Sequence, residues 1–192
     1  MFNLSQPTWV CNPGAIRQCV AKDGLVPMKD AVLPAAGELA GTAVGPAIVR
    51  RADFLAVDAT SGCTAFAYMG REGFAGALAI IPLRANGLEA LRADRFNGVQ
   101  PDLDLVARPG ELAAAIYGWG IVGSGPRSRA AVLRAVDRLR RELTFEVPWY
   151  CRAATDDGAR VILGRLGYAP VSGSASGLFV SEPLSLPLRR AA

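Results

Sequence analysis

Val132, Val136, Leu139 and Leu143 recur at i, i+4, i+7 and i+11, and Leu133 and Ala135 widen the stripe. This spacing predicts an amphipathic helix over Arg127–Leu143 with one face in the core. The other face carries Arg134, Arg138, Arg140, Arg141 and Glu142 and reads as a solvated surface. Before the helix, the apolar run Ala113–Val122 predicts a strand, and Gly123-Ser124-Gly125-Pro126 predicts a turn leading into the helix start. After it, Val147–Ala153 predicts a second strand and Thr155–Leu166 a second helix, closed by Gly167-Tyr168.

Further upstream, Cys63–Met69 and Phe74–Ile81 are apolar runs joined by Gly70-Arg71-Glu72-Gly73, the pattern of an antiparallel hairpin. Asn86–Arg95, with Leu88, Leu91 and Phe96 near helical spacing, reads as a short amphipathic helix, and Asn97–Pro109 as a loop. In the first part of the chain, Trp9 and Val10 are candidate anchors and Pro13 opens a short helix through Val20. Lys29–Gly41 and Pro46–Phe54 read as two short helices broken at Gly45-Pro46. Ala31–Val49 is the most apolar stretch, but Pro34, Glu38 and Pro46 interrupt it, so a buried Ala-rich helix and a turn are expected rather than a membrane span. No repeat or linker divides the chain. A single domain over 1–192 is expected, with an N-terminal extension of about residues 1–60 that the pattern defines least, and Pro183–Ala192 as a surface tail.

Composition narrows the chemistry more than it narrows the fold. The chain has 192 residues, 51% of them hydrophobic and 20% charged, which is globular rather than disordered usage. It contains no histidine, which excludes Ser-His-Asp hydrolysis and His-bound metal sites; acid–base work must fall to carboxylates, Tyr, Cys, Lys or water. Cys11, Cys19, Cys63 and Cys151 form no C-x-x-C pair, so reduced thiols are expected, with Cys151 a small core residue. Residues 1–19 lack a basic segment followed by an apolar one, so no signal peptide is read and a cytoplasmic location is expected. The net charge of +4 suits an anionic small molecule as well as a nucleic acid. The Arg-rich helix has no interleaved aromatics, which speaks against a nucleic-acid partner.

A strand, a turn and a helix N-terminus in succession can present unpaired backbone N–H groups to a phosphate. In the order of its elements, and in two segments of sequence, the C-terminal half resembles the GNAT superfamily of N-acetyltransferases. Tyr117-Gly118-Trp119-Gly120-Ile121-Val122 with Gly123–Ala130 stands where that family has its central splayed strand and pyrophosphate loop. Ala159–Tyr168 resembles its last helix, which ends in Leu-Gly-Phe, with Tyr168 in place of Phe. The motif likeness covers about Ala113 to Tyr168, and the likeness in element order about Cys63 to Val180. It implies an α/β (α+β) fold: a mixed, mostly antiparallel central sheet flanked by helices.

The resemblance also implies an acyl-CoA-dependent N-acyltransferase, using acetyl-CoA or another acyl-CoA, with a small-molecule or peptide amine as acceptor. The cofactor-binding residues it implies are Trp119, Ile121, Val122, Arg127, Ser128, Arg129, Ala130 and Asp156. Ser128 takes the place of the loop's middle glycine, and its Cβ is expected to crowd the backbone approach that glycine permits. Asp156 replaces the family's Asn; it or Thr155 is a good helix N-cap. The tyrosine that many members carry four residues before the terminal Gly is Leu163 here, so Tyr150, Tyr117 or Tyr168 would have to protonate the leaving thiolate. Glu72 in the hairpin turn and Glu111 at the start of the central strand are the candidate bases. The altered loop and the missing tyrosine both favour the alternative, a GNAT-like domain that has lost chemistry and serves as a binding or structural subunit. A homodimer or a protein partner is compatible with either.

Overall fold

In the computed structural model described here, residues 8–44 and 49–184 are defined. In chain order the elements are β1 (Trp9–Val10), α1 (Pro13–Ala21), β2 (Leu25–Pro27), α2 (Leu33–Val44), α3 (Arg51–Ser61), β3 (Ala65–Gly70), β4 (Gly73–Leu83) and α4 (Ala85–Arg92). There follow β5 (Leu112–Ala113), β6 (Ala115–Gly123), α5 (Pro126–Arg138), β7 (Trp149–Arg152), α6 (Asp156–Gly164), β8 (Ala169–Pro170) and β9 (Leu178–Ser181). Seven strands form one sheet in the order β2-β3-β4-β6-β7-β9-β8, and β1 pairs with β5 apart from it. The β6–β7 pair is parallel and the sheet's other pairs are antiparallel, so the fold is α+β with a mostly antiparallel sheet.

The strands bury both faces. On one, Leu78, Ile80, Ile116, Trp149 and Cys151 pack with Ile16 and Val20 of α1, Val132 and Val136 of α5 and Ile162 of α6. On the other, Ile81, Leu83, Tyr117 and Tyr150 pack with Val57 of α3, Leu88 and Leu91 of α4 and Phe96 beyond it. Each sheet face thus finds an apolar helix stripe, the usual three-layer solution.

The hairpin forms at the predicted place, with Arg71 and Glu72 as its exposed tip. Asn12 caps α1 by accepting the Ala15 N–H at 3.0 Å, with Pro13 in the first turn. Several expectations need correcting. α2 carries no fully buried residue among those described, so the Ala-rich helix is half-exposed rather than buried. The next helix begins at Arg51, not Pro46, and runs to Ser61, where Gly62 in the left-handed region ends it. Gly45-Pro46 and most of the Pro183–Ala192 tail lie outside the described residues.

The long Arg-rich helix also departs from its pattern. Regular α-helix stops at Arg138, and Leu139–Leu143 form a π-helical turn closed by the Thr144 N–H on Leu139 O at 2.8 Å. An i→i+5 turn inserts one residue and so rotates the side chains beyond Arg138 about the helix axis. Arg140 is therefore buried rather than solvated: its guanidinium lies 4.8 Å over the Tyr168 ring and donates to Leu166 O and Ser181 Oγ. Arg134 and Arg138 likewise grip the buried Asp23 carboxylate of the α1–β2 turn. The four cysteines are buried and free, and burial pushes the Cys151 thiol up to about 12, which fits a core residue. Among the described residues no helix is long and apolar enough to cross a membrane.

Candidate functional site

β7 follows β6 for three residue pairs, Ile116–Trp149, Tyr117–Tyr150 and Gly118–Cys151, and the ladder then ends. β4 stays paired with β6 as far as Gly123. From Trp119 to Gly123 the side of β6 that faced β7 therefore has no strand against it, and the sheet parts at its centre. Because β6 and β7 are parallel and each runs into a helix, the N-termini of α5 and α6 both lie at the open end of this parting. Ligands of sheets with parallel strands collect at such carboxyl ends.

A bulge shapes the parting strand. Ile80 pairs with Gly118 and Ala79 with Gly120, which leaves Trp119 as the extra residue. Side-chain alternation reverses across it. Tyr117 and Trp119 face the α3–α4 layer, whereas Ile121, beyond the bulge, packs with Leu78 in the α1–α5–α6 layer.

The turn after β6 is drawn tightly against α5. A Cβ on Gly123 would stand 2.7 Å from Arg129 N, so only glycine permits this approach. The Ser124 N–H donates to Ala75 O at 2.9 Å, tying the turn to the hairpin. The Ser128 hydroxyl accepts from the Gly125 N–H at 3.1 Å and donates to Gly125 O at 3.0 Å. Ser128 is buried, and its Cβ would touch one built on Gly76 at 3.4 Å. It faces the sheet, so the expected crowding of the ligand side by Ser128 does not occur.

The amides that the sequence put forward for an anion are only partly free. The Arg129 N–H makes the helix's first bond, to Gly125 O at 3.0 Å, and Ala130 lies one residue further into the helix. Arg127 N–H and Ser128 N–H are the amides of this turn without a protein acceptor among the described residues. Both Arg127 and Arg129 are exposed, and Arg129 Nε folds back on Gly123 O at 3.0 Å. The cradle is therefore narrower than expected, limited to the amides of Arg127 and Ser128, but it keeps its positive charge.

On the α3–α4 face the parting has an aromatic wall. Trp119 stacks on Phe54 of α3, with ring centroids 5.4 Å apart, and donates Nε1–H to Gly98 O at 2.6 Å. Next to it, Arg152 at the end of β7 donates Nη1–H to the Tyr117 hydroxyl at 3.3 Å. Burial raises the Tyr117 phenol above its ordinary value, and the Arg152 charge offsets part of this. Sequence reasoning overlooked Phe54, Gly98 and Arg152. The available signal was an arginine inside the otherwise apolar Val147–Ala153 run.

The candidate catalytic residues are scattered. Glu72 is exposed at the hairpin tip, three residues from Ala75 and so at the same end of the sheet as the Ser124 turn. Glu111 is at the other end of β6, where Arg84 donates Nε–H and Nη2–H to its carboxylate at 2.7–2.9 Å. The Arg108 N–H first, and then Arg84, hold its carboxyl below the usual range, as befits a fixed ion-pair partner rather than a base. Tyr150 is buried, with its hydroxyl accepting from Arg92 Nε at 3.0 Å. Tyr168 is sealed in the core beneath Arg140, where burial raises its phenol far above the ordinary value, so its hydroxyl does not serve the parting. Asp156 is the exposed first residue of α6, and Thr155 is the cap, accepting the Gly158 N–H at 3.0 Å.

A cavity of about 410 Å³ lies between α4 and the Asn97–Leu105 segment, and one of about 530 Å³ lies between α5 and the Arg165-Leu166 end of α6. Neither is lined by Trp119–Val122. No protein-family model matches the chain, and comparison with curated proteins gives no match.

The Glu111 pair yields a pH test. A carboxyl with a depressed folded-state pKa contributes stability above the unfolded value and loses it as pH falls through the folded value. Glu111→Gln is therefore expected to melt below the wild type at pH 7, with the gap closing below about pH 4. Because the pair is half-exposed, salt should narrow the gap as well. Thermal melts across pH measure this, and a gap that did not narrow at all as pH fell below about 4 would refute the ion-pair role.

Proposed function

We propose that the chain is a GNAT-type N-acyltransferase that moves an acetyl or other acyl group from an acyl-CoA to an amine. The observation that carries this reading is the parted β6–β7 pair, whose free Trp119–Val122 edge runs through Gly123–Gly125 to the unbonded amides of Arg127 and Ser128. A diphosphate fits that helix start by charge and by the two unbonded amides of Arg127 and Ser128. The acyl-CoA supplies an activated thioester carbonyl, and the chain supplies its placement. Backbone N–H groups on the free edge are the donors suited to polarise that carbonyl as negative charge develops on oxygen.

Attack by the neutral amine expels the thiolate, which takes up a proton. Of the three tyrosines considered, Tyr117 is the one whose hydroxyl accepts from Arg152, the residue just past the last β6–β7 pair, so its own hydrogen stays available for donation. Glu72, with no partner among the described hydrogen bonds, is the carboxylate at the turn's end of the sheet. Through water it would take the amine proton. The commitments of Tyr150, Tyr168 and Glu111, with Leu163 in the usual donor position, favour a second reading: a domain of the same descent that binds without turnover.

Calorimetry with acetyl-CoA and with desulfo-CoA tests the proposal. Saturable binding is expected, weakened about 10-fold each by Arg127→Glu and Arg129→Glu through reversal of charge at the helix start. The absence of binding to any acyl-CoA at millimolar concentration would end it. Binding without acyl transfer to any amine in a panel would leave the second reading.

A further inference from the structure

Two of the four buried thiols touch. Cys11 Sγ and Cys63 Sγ are 3.9 Å apart although 52 positions separate them along the chain, whereas Cys19 and Cys151 have no such sulfur neighbour among the described residues. Their backbones are held close on either side of the contact. Arg17 Nη2–H donates to Gly62 O at 2.7 Å, and a Cβ on Gly62 would stand 3.3 Å from Pro13 Cγ. Closing the gap to a sulfur–sulfur bond of about 2.0 Å therefore asks for rotation of two side chains rather than movement of the fold.

The contact is unequal. The hydrogen bond with Cys63 lowers the Cys11 thiol below its ordinary value, with burial opposing it, while the same bond and burial push Cys63 up. Cys11 is thus the sulfur that ionises first, and the thiolate is the attacking form. It also sits where the fold opens most easily. Cys11 follows the two-residue strand β1, whose ladder with β5 lies apart from the main sheet, and it is tied there by the Cys11 N–H on Glu111 O and the Gly110 N–H on Cys11 O, each at 2.8 Å. So short a ladder opens at low cost, and its opening uncovers Cys11 without unfolding the seven-stranded sheet.

We propose that Cys11 and Cys63 are a site of reversible oxidation, at which a small disulfide such as glutathione disulfide converts the two thiols into a bond that latches the β1–α1 arm to the head of β3. With the arm open, the Cys11 thiolate attacks one sulfur of glutathione disulfide, forms a mixed disulfide and releases one glutathione thiolate, which takes up the proton that Cys11 lost. As the arm closes, Cys63 gives up its proton and attacks the Cys11 sulfur, and the second glutathione leaves as a thiol. Two protein thiols are oxidised to one disulfide and one glutathione disulfide is reduced to two thiols. No ligand cavity is needed, because the chain itself supplies the second sulfur. The inference is independent of the transferase reading.

The test incubates the folded full chain with an excess of glutathione disulfide. The titratable thiols in denaturant should fall from four to two, and a non-reducing digest should join the Cys11 peptide to the Cys63 peptide. The bond should raise the melting temperature by about 4–16 °C, since it closes a long loop in the unfolded chain. Amide exchange at Cys11 and Gly110 should slow by about 10-fold or more, because the latched arm no longer opens alone. Dithiothreitol should reverse all of these. Cys63→Ala should accumulate a glutathione adduct on Cys11, and Cys11→Ala should leave Cys63 unmodified. Four free thiols after the incubation, or a bond that involves Cys19 or Cys151 instead, would overturn the proposal. If either variant does not fold, the wild-type digest and its exchange rates decide.

Discussion

Gly123→Ala is expected to cost the chain stability and, under the proposed transferase function, to weaken acetyl-CoA binding as well. The added methyl would sit 2.7 Å from Arg129 N and 3.0 Å from Arg129 Cα, which are backbone atoms that cannot rotate aside. Neither side can easily retreat, because Gly123 pairs with Gly76 and Arg129 N–H is bonded to Gly125 O. Relief requires α5 to shift off the sheet, at a cost of about 1–3 kcal/mol for such overpacking. For a chain of this length that lowers the melting temperature by about 3–10 °C. The same shift moves the Arg127 and Ser128 amides, so acetyl-CoA binding should weaken by about 10-fold, the loss of one charge-favoured contact at the helix start. Gly125→Ala is the control. Its added methyl meets nothing within 4 Å, and its backbone, at φ −154, is extended and open to any residue, so it should melt like the wild type. Equal melting temperatures and acetyl-CoA affinities for the two variants would refute the close-approach argument.

Arg140→Met should produce the largest purely structural loss. The guanidinium satisfies Leu166 O at 2.7 Å and Ser181 Oγ and covers the Tyr168 ring, so it ties the tail of α5 to the end of α6 and to β9. Methionine fills much of the volume but leaves a buried carbonyl and a buried hydroxyl without their donor, at about 1–3 kcal/mol each. The two together come to about 4 kcal/mol at the middle of their range, which lowers the melting temperature by about 8–16 °C. Arg140→Lys, with one point charge, should recover part of it. A melting temperature for Arg140→Met within about 2 °C of wild type would show that water replaces the guanidinium without loss.

Period and punctuation made much of this fold legible. The α5 stripe, the Gly70–Gly73 hairpin, the β6 run and the cap at Thr155 all follow from spacing and turn chemistry, and their positions agree with the structure. What stayed hidden has physical causes. β8 and β9 are strands of two and four residues whose only distinction is their partner, and two residues carry no readable alternation. Arg140 lies on the polar face of an uninterrupted helix, and the π-turn that carries it inward leaves no mark in composition. Trp119 and Ile121 should share a face in a regular strand, and the bulge that separates them comes from pairing with Ala79 and Ile80. Ser128 looked obstructive because sequence supplies no direction for its side chain, whereas burial against Gly76 does. Arg152 was visible as a charge in an apolar run, but its neighbours come from α4's trailing loop and from β6, far away along the chain.

The three-pair seam between β6 and β7 has a mechanical meaning. A sheet stitched so briefly at its middle is two smaller sheets leaning on a common root, and whatever took the seat of the absent strand would splice the halves and stiffen the whole.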